Sequence, residues 1–575
     1  MQTLFYQDVA KHHLPTQLVK HTTMTTSRHI VFRNGKFFRS NKAPAGQRSE
    51  ANFAEALVVK DGIITFVGGA AAEQVETAIS EGAVVHDVGG HTVLPGLVDG
   101  HIHLTQLGQT LQKLRLDDCK SLADIRKTIR DYAVANPDRA RIFCSGWMHF
   151  MTPEGPLASL LDDLDPRPVL ITAKDLHSTW CNTAALAELD LDDEPDPPGG
   201  EIVRDPETGK PNGLLSEAAS MKFIPRYMAR TSTPEDTVSA IETAVTDCTH
   251  AGFTALIDMA MEEEGWTALQ AYRQRERDAG RRLPVRLAAY WLILPRDDDA
   301  ENVRQVERAA ELARRFNPAT DPDCRLVGIK LVCDGIVDGC TASLKEPYSH
   351  NGDSCDPVWS PEHMAPVVEA ATRHGLQVAL HAIGDRTVAD AIDVPERHVG
   401  PEHRPRIEHL ELTTAEDARR LGRLGITASV QPVHADPAIL RAWPRLVGER
   451  RCGRAFAYSD FADGGAPVAI GSDAPTAPHH IVNNLYVATT RRSAREPGSE
   501  TAVNPQFALS LCDVVAGATE GAARSCFLDD RVGSLDVGKR ADLAVFDLEW
   551  EPSKALEAKP VETWFEGELV FSARG

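Results

Sequence analysis

Short β-branched runs punctuated by turn dipeptides open and close the chain. "HIVFRNGKFF", "EALVVKDGIITFVG" and "GAVVHDVGGHTVLPGLVD" are broken by Asn-Gly, Asp-Gly and Gly-Gly, the pattern of a meander of short antiparallel strands. The same texture returns in "VGSLDVGKRADLAVFDL" and "PVETWFEGELVFSARG". Two β-rich ends around a long middle predict one small β-sandwich built from residues 29–95 and 534–575. Residues 1–28 lack this patterning and read as a disordered leader.

The middle alternates continuously apolar runs with stretches of helical period. "TALIDMA", "VRLAAYWLIL", "LVGIKLVCDG", "LQVALHAIGD", "RPRIEHLEL", "ITASVQPV" and "APVAIGSDAP" each end in polar or titratable residues. Strands apolar on both faces, separated by helices such as "DAENVRQVERAAELARRF", predict a parallel sheet covered on both sides. At least seven such strands after the first fit an α/β fold of the (β/α)8 barrel type, spanning residues 96–533. Residues 105–245 lose the rhythm and contain the Pro/Gly/Asp-rich linker "LDDEPDPPGGEIVRDPETGKPNG". They are expected to form an insertion, a lid over the barrel mouth, with an irregular excursion from Asp192 to Gly213.

Composition narrows the function classes. The 575 residues carry 61 Lys and Arg against 83 Asp and Glu, a net charge of −22. That surface repels nucleic-acid phosphates and anionic membranes, and no basic run overrides it. No apolar stretch reaches the ~18 residues of a transmembrane helix, and residues 1–30 lack the apolar core of a signal peptide. The 11 cysteines are scattered without a CxxC pair, which points to reduced thiols and a cytoplasmic enzyme rather than a disulfide framework.

The histidines carry the candidate chemistry. In "LPGLVDGHIHL", His101 and His103 stand two apart, so on one strand both imidazoles reach the same side. Lys330 is flanked by Leu, Val and Ile, and reads either as a snorkelling cation or as a buried group with a task. His381 and His409 end apolar strands, as core histidines or as ligands. Asp473 ends another, where a helix cap is the ordinary alternative. Their order decides between these readings: HxH, Lys, His, His, Asp each close a separate predicted barrel strand, and such ends converge on one mouth. Neutral imidazoles with a carboxylate are the donor set of a catalytic zinc site. Weaker candidates are His177, Trp180 and Asn182 in "LHSTWCNTAAL" and His434 in "QPVHAD", as substrate-binding residues. Glu217 reads rather as a surface helix residue, and Asp385 as a group that orients His381 or caps the next helix.

Taken together, "LPGLVDGHIHL…GIKLVCDG…HAIGD…IEHLE…GSDAP" with the tail "VGSLDVGKRADLAVFD" resembles the amidohydrolase superfamily, in its amidohydrolase family 3 branch of YtcJ-like metal-dependent hydrolases. The resemblance runs from about residue 29 to the C-terminus and takes in the lid motifs. It implies a distorted (β/α)8 barrel with a small β-sandwich, and a metal site of His101, His103, Lys330, His381, His409 and Asp473. The resemblance implies a lysine that can be carboxylated and then bridge two metals, and in the family the last aspartate is usually the proton shuttle. His479 and His480 in "SDAPTAPHHI" depart from the pattern of the branch.

The expected activity is metal-activated hydrolysis of a carbon–nitrogen, non-peptide bond in a small amide, formamide or cyclic amide. One or two zinc ions would serve as cofactor, with another divalent transition metal as the alternative. Deamination, decarboxylation or isomerisation on the same site is the neighbouring class, and a non-catalytic regulatory protein of the same fold is the distant one. A regulatory relative should lack ligands, and none of the six candidates is missing. A small molecule is the expected partner, with no nucleic acid or membrane, and a homodimer is a candidate assembly.

Overall fold

The computed structural model describes residues 28–41, 49–174, 177–197 and 200–574. The expected leader, apart from Arg28, lies outside the described residues.

Eight parallel strands succeed one another in a single sheet in the order of the sequence: β1 (Leu97–Ile102), β2 (Phe253–Met261), β3 (Arg286–Leu292), β4 (Cys324–Val332), β5 (Gln377–Ala382), β6 (Arg406–His409), β7 (Thr427–Val430) and β8 (Val468–Ile470). Val98, Ala255, Ile257, Ala288, Tyr290, Ala379 and Ala469 turn inward into one cluster. Leu256, Leu287, Ile329, Leu331 and Leu380 point outward against the helices. Both faces are dry, which is why these strands are apolar throughout. The covering helices are amphipathic: Asp299–Arg315 buries Val306, Ala309, Ala310 and Leu312, and Asp298 caps it by accepting from the Ala300 N–H.

β8 meets β1 at the mouth. The Asp473 N–H donates to the His101 carbonyl at 2.7 Å and the His103 N–H to the Ala474 carbonyl at 2.9 Å. Glycine permits this approach. A Cβ on Gly100 would lie 2.6 Å from the Ile470 carbonyl oxygen, and one on Gly471 2.3 Å from the His101 nitrogen.

The two chain ends share an eight-stranded sheet. Leu543–Asp547 from the C-terminal end runs antiparallel to Thr92–Pro95 from the N-terminal end, with Val545 opposite Val93. Phe32, Leu57, Val93, Leu543, Val545 and Trp564 pack in one apolar cluster. The fold is thus the expected distorted barrel with a β-sandwich made of both ends. Arg286, at the start of β3, is fully buried and bonds Asp542 and, at 2.5 Å, Glu566 of this sheet.

Between β1 and β2 the insertion builds its own six-stranded sheet, from Leu114–Arg115 to Pro211–Glu217, around Trp147, Trp180 and Ile171. It is shorter than residues 105–245. Helices Leu104–Leu111 and Pro234–His250 pack into the barrel core through Leu104, Leu107, Val238 and Ile241. The described residues of the Asp192–Gly213 excursion are also more ordered than its composition suggests. Strands Gly200–Arg204 and Pro211–Glu217 pair as a hairpin, and Arg204 donates to the carbonyls of Leu191, Asp192 and Glu194. Backbone pairing outweighs the local Pro and Gly content there. Among the described residues no helix is long and apolar enough to cross a membrane.

Candidate metal centre

Each expected ligand sits at the end of a barrel strand. His101 is the penultimate residue of β1 and His103 follows it, Lys330 lies near the end of β4, His381 in β5, His409 closes β6, and Asp473 follows β8. Two of these positions are conformationally unusual: His409 has φ +76° and Asp473 φ +56°. Left-handed backbone at a non-glycine residue costs energy and persists where the surroundings enforce it, commonly at functional sites.

The structure brings these groups together. The His101 ring lies 5.4 Å from that of His103 and 5.0 Å from that of His409, and His381 and His409 are 4.4 Å apart, centroid to centroid. Asp473 Oδ1 stands 3.3 Å from His101 Nε2 and 3.0 Å from His103 Nε2. Donor atoms of His101, His409 and Asp473 all lie within 4.8 Å of one another. His101 Nε2, His103 Nδ1, His381 Nε2, His409 Nδ1 and Asp473 Oδ1 are buried without a hydrogen-bond partner among the described residues. Orphaned buried donors and acceptors are costly, and those of His101, His409 and Asp473, residues whose donor atoms group within 4.8 Å, fit a metal ion as their missing partner.

Electrostatics favours the ligating protonation states. Burial, with Lys330 nearby, pushes His381 down to about 3, and burial with His381 carries His409 well below the ordinary histidine range. Both are neutral imidazoles, the form a metal needs. Burial alone would raise the Asp473 carboxyl, but the rings of His101, His103 and His409 hold it well below the usual carboxylate range. Lys330 is buried and its ammonium is pushed down by desolvation, against the pull of Glu408 and Asp473.

A second set of residues holds the ligands, and the sequence reading had passed over it. His101 Nδ1 donates to Glu408 Oε2 at 2.8 Å, which fixes the tautomer that leaves Nε2 free. Glu408 accepts from Arg406 Nε at 2.6 Å. Arg406, fully buried, also donates to the Gly100 carbonyl, Ser429 and Ser525. Arg406 and Glu408 lie in the fully buried "RIEH" strand. A charged pair inside such a strand is itself a signal, because it must find partners. Asp99 accepts from the His101 and Ser472 N–H groups and the Ser472 hydroxyl, locking β1 to the loop after β8. Asp258 accepts from the Leu104 N–H directly after His103.

His434 joins the centre. Its Nε2 is 3.5 Å from Asp473 Oδ2 and its Nδ1 3.4 Å from Glu411 Oε1. Although burial pushes the imidazole down, Glu411 and Asp473 raise it above the usual histidine range. His409, Glu411 and His434 form a second group with donor atoms within 4.8 Å, and Glu411 was missed because "HLEL" reads as a strand exit.

Other expectations are corrected. Trp180 is buried in the insertion core and donates from Nε1 to the Leu157 carbonyl. Asn182 is buried too: its Oδ1 accepts from Val169 and Ala185 and its Nδ2 donates to the Arg167 carbonyl. With their polar atoms engaged inside the insertion, both are structural rather than substrate-binding. His177 pairs through Nδ1 with Glu217 Oε2 at 2.7 Å, each more than half exposed, so Glu217 is a strand-end partner of His177. Asp385 accepts from the Lys345 N–H and does not reach His381. The residue beside His381 Nε2, at 3.5 Å, is Asp334, whose carboxyl burial pushes up to about 7. His479 sits 2.9 Å from Asp247 and stacks on His480.

Known proteins place this constellation. The sequence profile of the amidohydrolase family matches residues 84–571. The chain belongs to the amidohydrolase family. This amidohydrolase is 28% identical to the protein LONG AFTER FAR-RED 3 of Arabidopsis thaliana, over 94% of its own length and 91% of that protein's. It is 27% identical to the putative amidohydrolase YtcJ of Bacillus subtilis, over 91% and 97%, in line with the branch read from the motifs. It is 24% identical to an N-substituted formamide deformylase of Arthrobacter pascens, over 91% and 96%. The amidohydrolase fold matches an uncharacterized metal-dependent hydrolase of Pyrococcus furiosus with a TM-score of 0.72 at 24% identity, covering 92% of this chain and all of that one.

Proposed function

We propose that this amidohydrolase hydrolyses a carbon–nitrogen, non-peptide bond of a small amide, formamide or cyclic amide. The observation that carries the reading is the grouping of His101, His409 and Asp473 donor atoms within 4.8 Å of one another at the ends of barrel strands, with His103 beside Asp473 and His381 beside His409. A relative named as an N-substituted formamide deformylase supports the bond class.

The imidazole-rich donor set of His101, His103, His381 and His409 suits zinc, with a second ion if Lys330 is carbamylated. A divalent metal there supplies Lewis acidity, polarising a carbonyl and acidifying water. The chain's own residues do the rest. Arg406 and Glu408 hold His101 in one tautomer. Asp473, aimed into the cluster, accepts the proton of the attacking water and returns it to the departing nitrogen. His434, between Glu411 and Asp473, fixes the orientation of that carboxylate. Deamination on the same residues differs only in which nitrogen leaves, so a product assay separates the two.

The test is elemental analysis with an amide panel. Chelator-stripped protein should lose turnover of N-formyl, N-acyl and cyclic amides, and zinc should restore it. Lys330→Ala should lose activity and regain part of it with added short carboxylic acids. Full turnover by demonstrably metal-free protein would defeat the reading.

A further inference from the structure

Three exposed apolar residues, Leu294, Val332 and Ile336, lie at or after the C-terminal ends of β3 and β4. Along β3, Ala288 and Tyr290 point into the barrel interior, packed in one cluster with Ala379. Leu292, the last residue of β3, keeps that parity, and Leu294 follows it in the chain just beyond the strand. Leu292 is in register with Lys330, and the Ile293 N–H still donates to the Lys330 carbonyl, so the ladder persists to this level. On β4, Lys330 is in register with Ala379, and Val332, two residues on and facing the same way, is in register with His381. The opposite parity, Ile293, Leu331 and Cys333, is buried against the helices. Val332 therefore stands one level above Lys330, in register with His381, and Leu294 comes two residues after Leu292, the register partner of Lys330.

Both are partly exposed rather than packed. Leu294 is 41% exposed, Val332 39%, and Ile336 on the loop after β4 52%. The two loop residues are also held from behind. Gln305 accepts from the Leu294 N–H at 3.0 Å and donates to its carbonyl at 2.8 Å. The Thr341 hydroxyl accepts from the Ile336 N–H at 3.0 Å and donates to its carbonyl at 3.3 Å. In each case one side chain clasps both backbone groups of an exposed apolar residue. An apolar side chain left in water gains nothing by being fixed there, and a fixed one makes a preformed contact for an apolar ligand.

Resting on the C–N hydrolase reading, we propose that Leu294, Val332 and Ile336 form a specificity wall that takes an uncharged apolar substituent of the substrate amide. The scissile bond lies at the cluster, and an alkyl or aryl group on its nitrogen or acyl side lies along the wall.

The experiment uses the metal-loaded enzyme and N-formyl n-alkylamines from methyl to hexyl, with 6-(formylamino)hexanoate as the charged counterpart. kcat/KM should climb about fourfold per methylene until the wall is covered, the gain of burying one CH2. The acid should fall below the alkyl amide of equal length. Leu294→Asn, Val332→Thr and Ile336→Asn change exposed positions, and metal content and melting temperature verify folding. Each should flatten the climb, lowering the hexyl-to-methyl ratio several-fold. A flat series in the wild type, a preferred acid, or variants that leave the ratio unchanged would overturn the wall. If no member is hydrolysed, the hydrolase reading fails, and equilibrium binding of the same amides still decides: affinity rising with chain length supports the wall, and no rise removes it.

Discussion

Two buried arginines, each opening a parallel barrel strand, anchor two different charge networks, and their surroundings differ in one respect. Arg286, at the start of β3, faces Asp542 and Glu566 of the sandwich, with Asp323 3.4 Å from its Nε. Arg406, at the start of β6, faces Glu408, which passes the interaction on to His101. In the first network Asp542 and Glu566 answer the guanidinium, and Arg286 Nε and Asp323 Oδ1 are left without a hydrogen bond but lie beside a group of opposite charge. The second ends on an imidazole nitrogen with no partner, beside four more orphaned atoms. A closed buried network joins two parts of the fold, whereas an open one asks for something from outside. The difference separates a structural charge cluster from a candidate site more sharply than burial does, since both arginines are fully buried.

The largest effect should come from the open end. Asp473→Asn keeps the shape and one oxygen but loses the basic carboxylate. Turnover should fall by about 10²–10⁴-fold, the scale of general acid–base groups, with near-normal metal content by elemental analysis. Near wild-type turnover with metal bound would move the proton-handling role to His434.

At the closed end, Arg286→Ala leaves Asp542 and Glu566 buried without their counter-charge. The expected loss is about 3–5 kcal/mol in denaturant unfolding, the cost of breaking a buried pair from one side. Protein that remains folded should keep its metal. An equal loss of metal affinity would mean that the two ends are coupled and the contrast is false.

Between these lies Glu408→Gln, which removes the charge behind His101 while keeping its shape. Metal affinity should weaken about 10–100-fold in chelator competition, the usual effect of losing such a supporting hydrogen bond. No change would place Glu408 with Asp542 and Glu566, as a charge that only serves the fold.

The open end was the more legible of the two in the sequence. His101, His103, Lys330, His381, His409 and Asp473 each interrupt or end an apolar run, and a run apolar on both faces can only be a buried strand of a parallel sheet. Strand order then forces their ends to one mouth. Partners contributed by distant segments were not legible. Nothing near Arg286 announces Asp542 or Glu566, more than 250 residues away. Trp180 and Asn182 misled for a related reason. A polar motif in an insertion signals that its residues have partners, but not whether those are a substrate or, as here, the insertion's own backbone. The range 105–245 cuts into the helix Pro234–His250, because helical period does not say which core a helix faces.

The smallest predicted effect tests the closed end again, in the sandwich itself. Glu562, almost wholly buried, accepts from His86 Nε2 at 2.9 Å and from Trp564 Nε1 at 3.0 Å. Burial pushes its carboxyl up, but these two bonds, with Arg574 behind them, hold it below the usual glutamate range. A folded-state value below the unfolded one means that the charged form is favoured by folding. The stabilisation is therefore fully present above the ordinary carboxylate range, about pH 4, and is lost as pH falls through the folded-state value. Urea midpoints between pH 7 and pH 3 should decline for the wild type, and Glu562→Gln should decline less steeply because it has no proton to take up. The variant should retain wild-type metal content at pH 7, since none of these groups belongs to the mouth. Equal slopes in the two proteins would show that acid loosens the fold elsewhere, and Glu566, whose carboxyl Arg286 and Arg282 hold below the usual glutamate range against the push of burial, would be the next place to look.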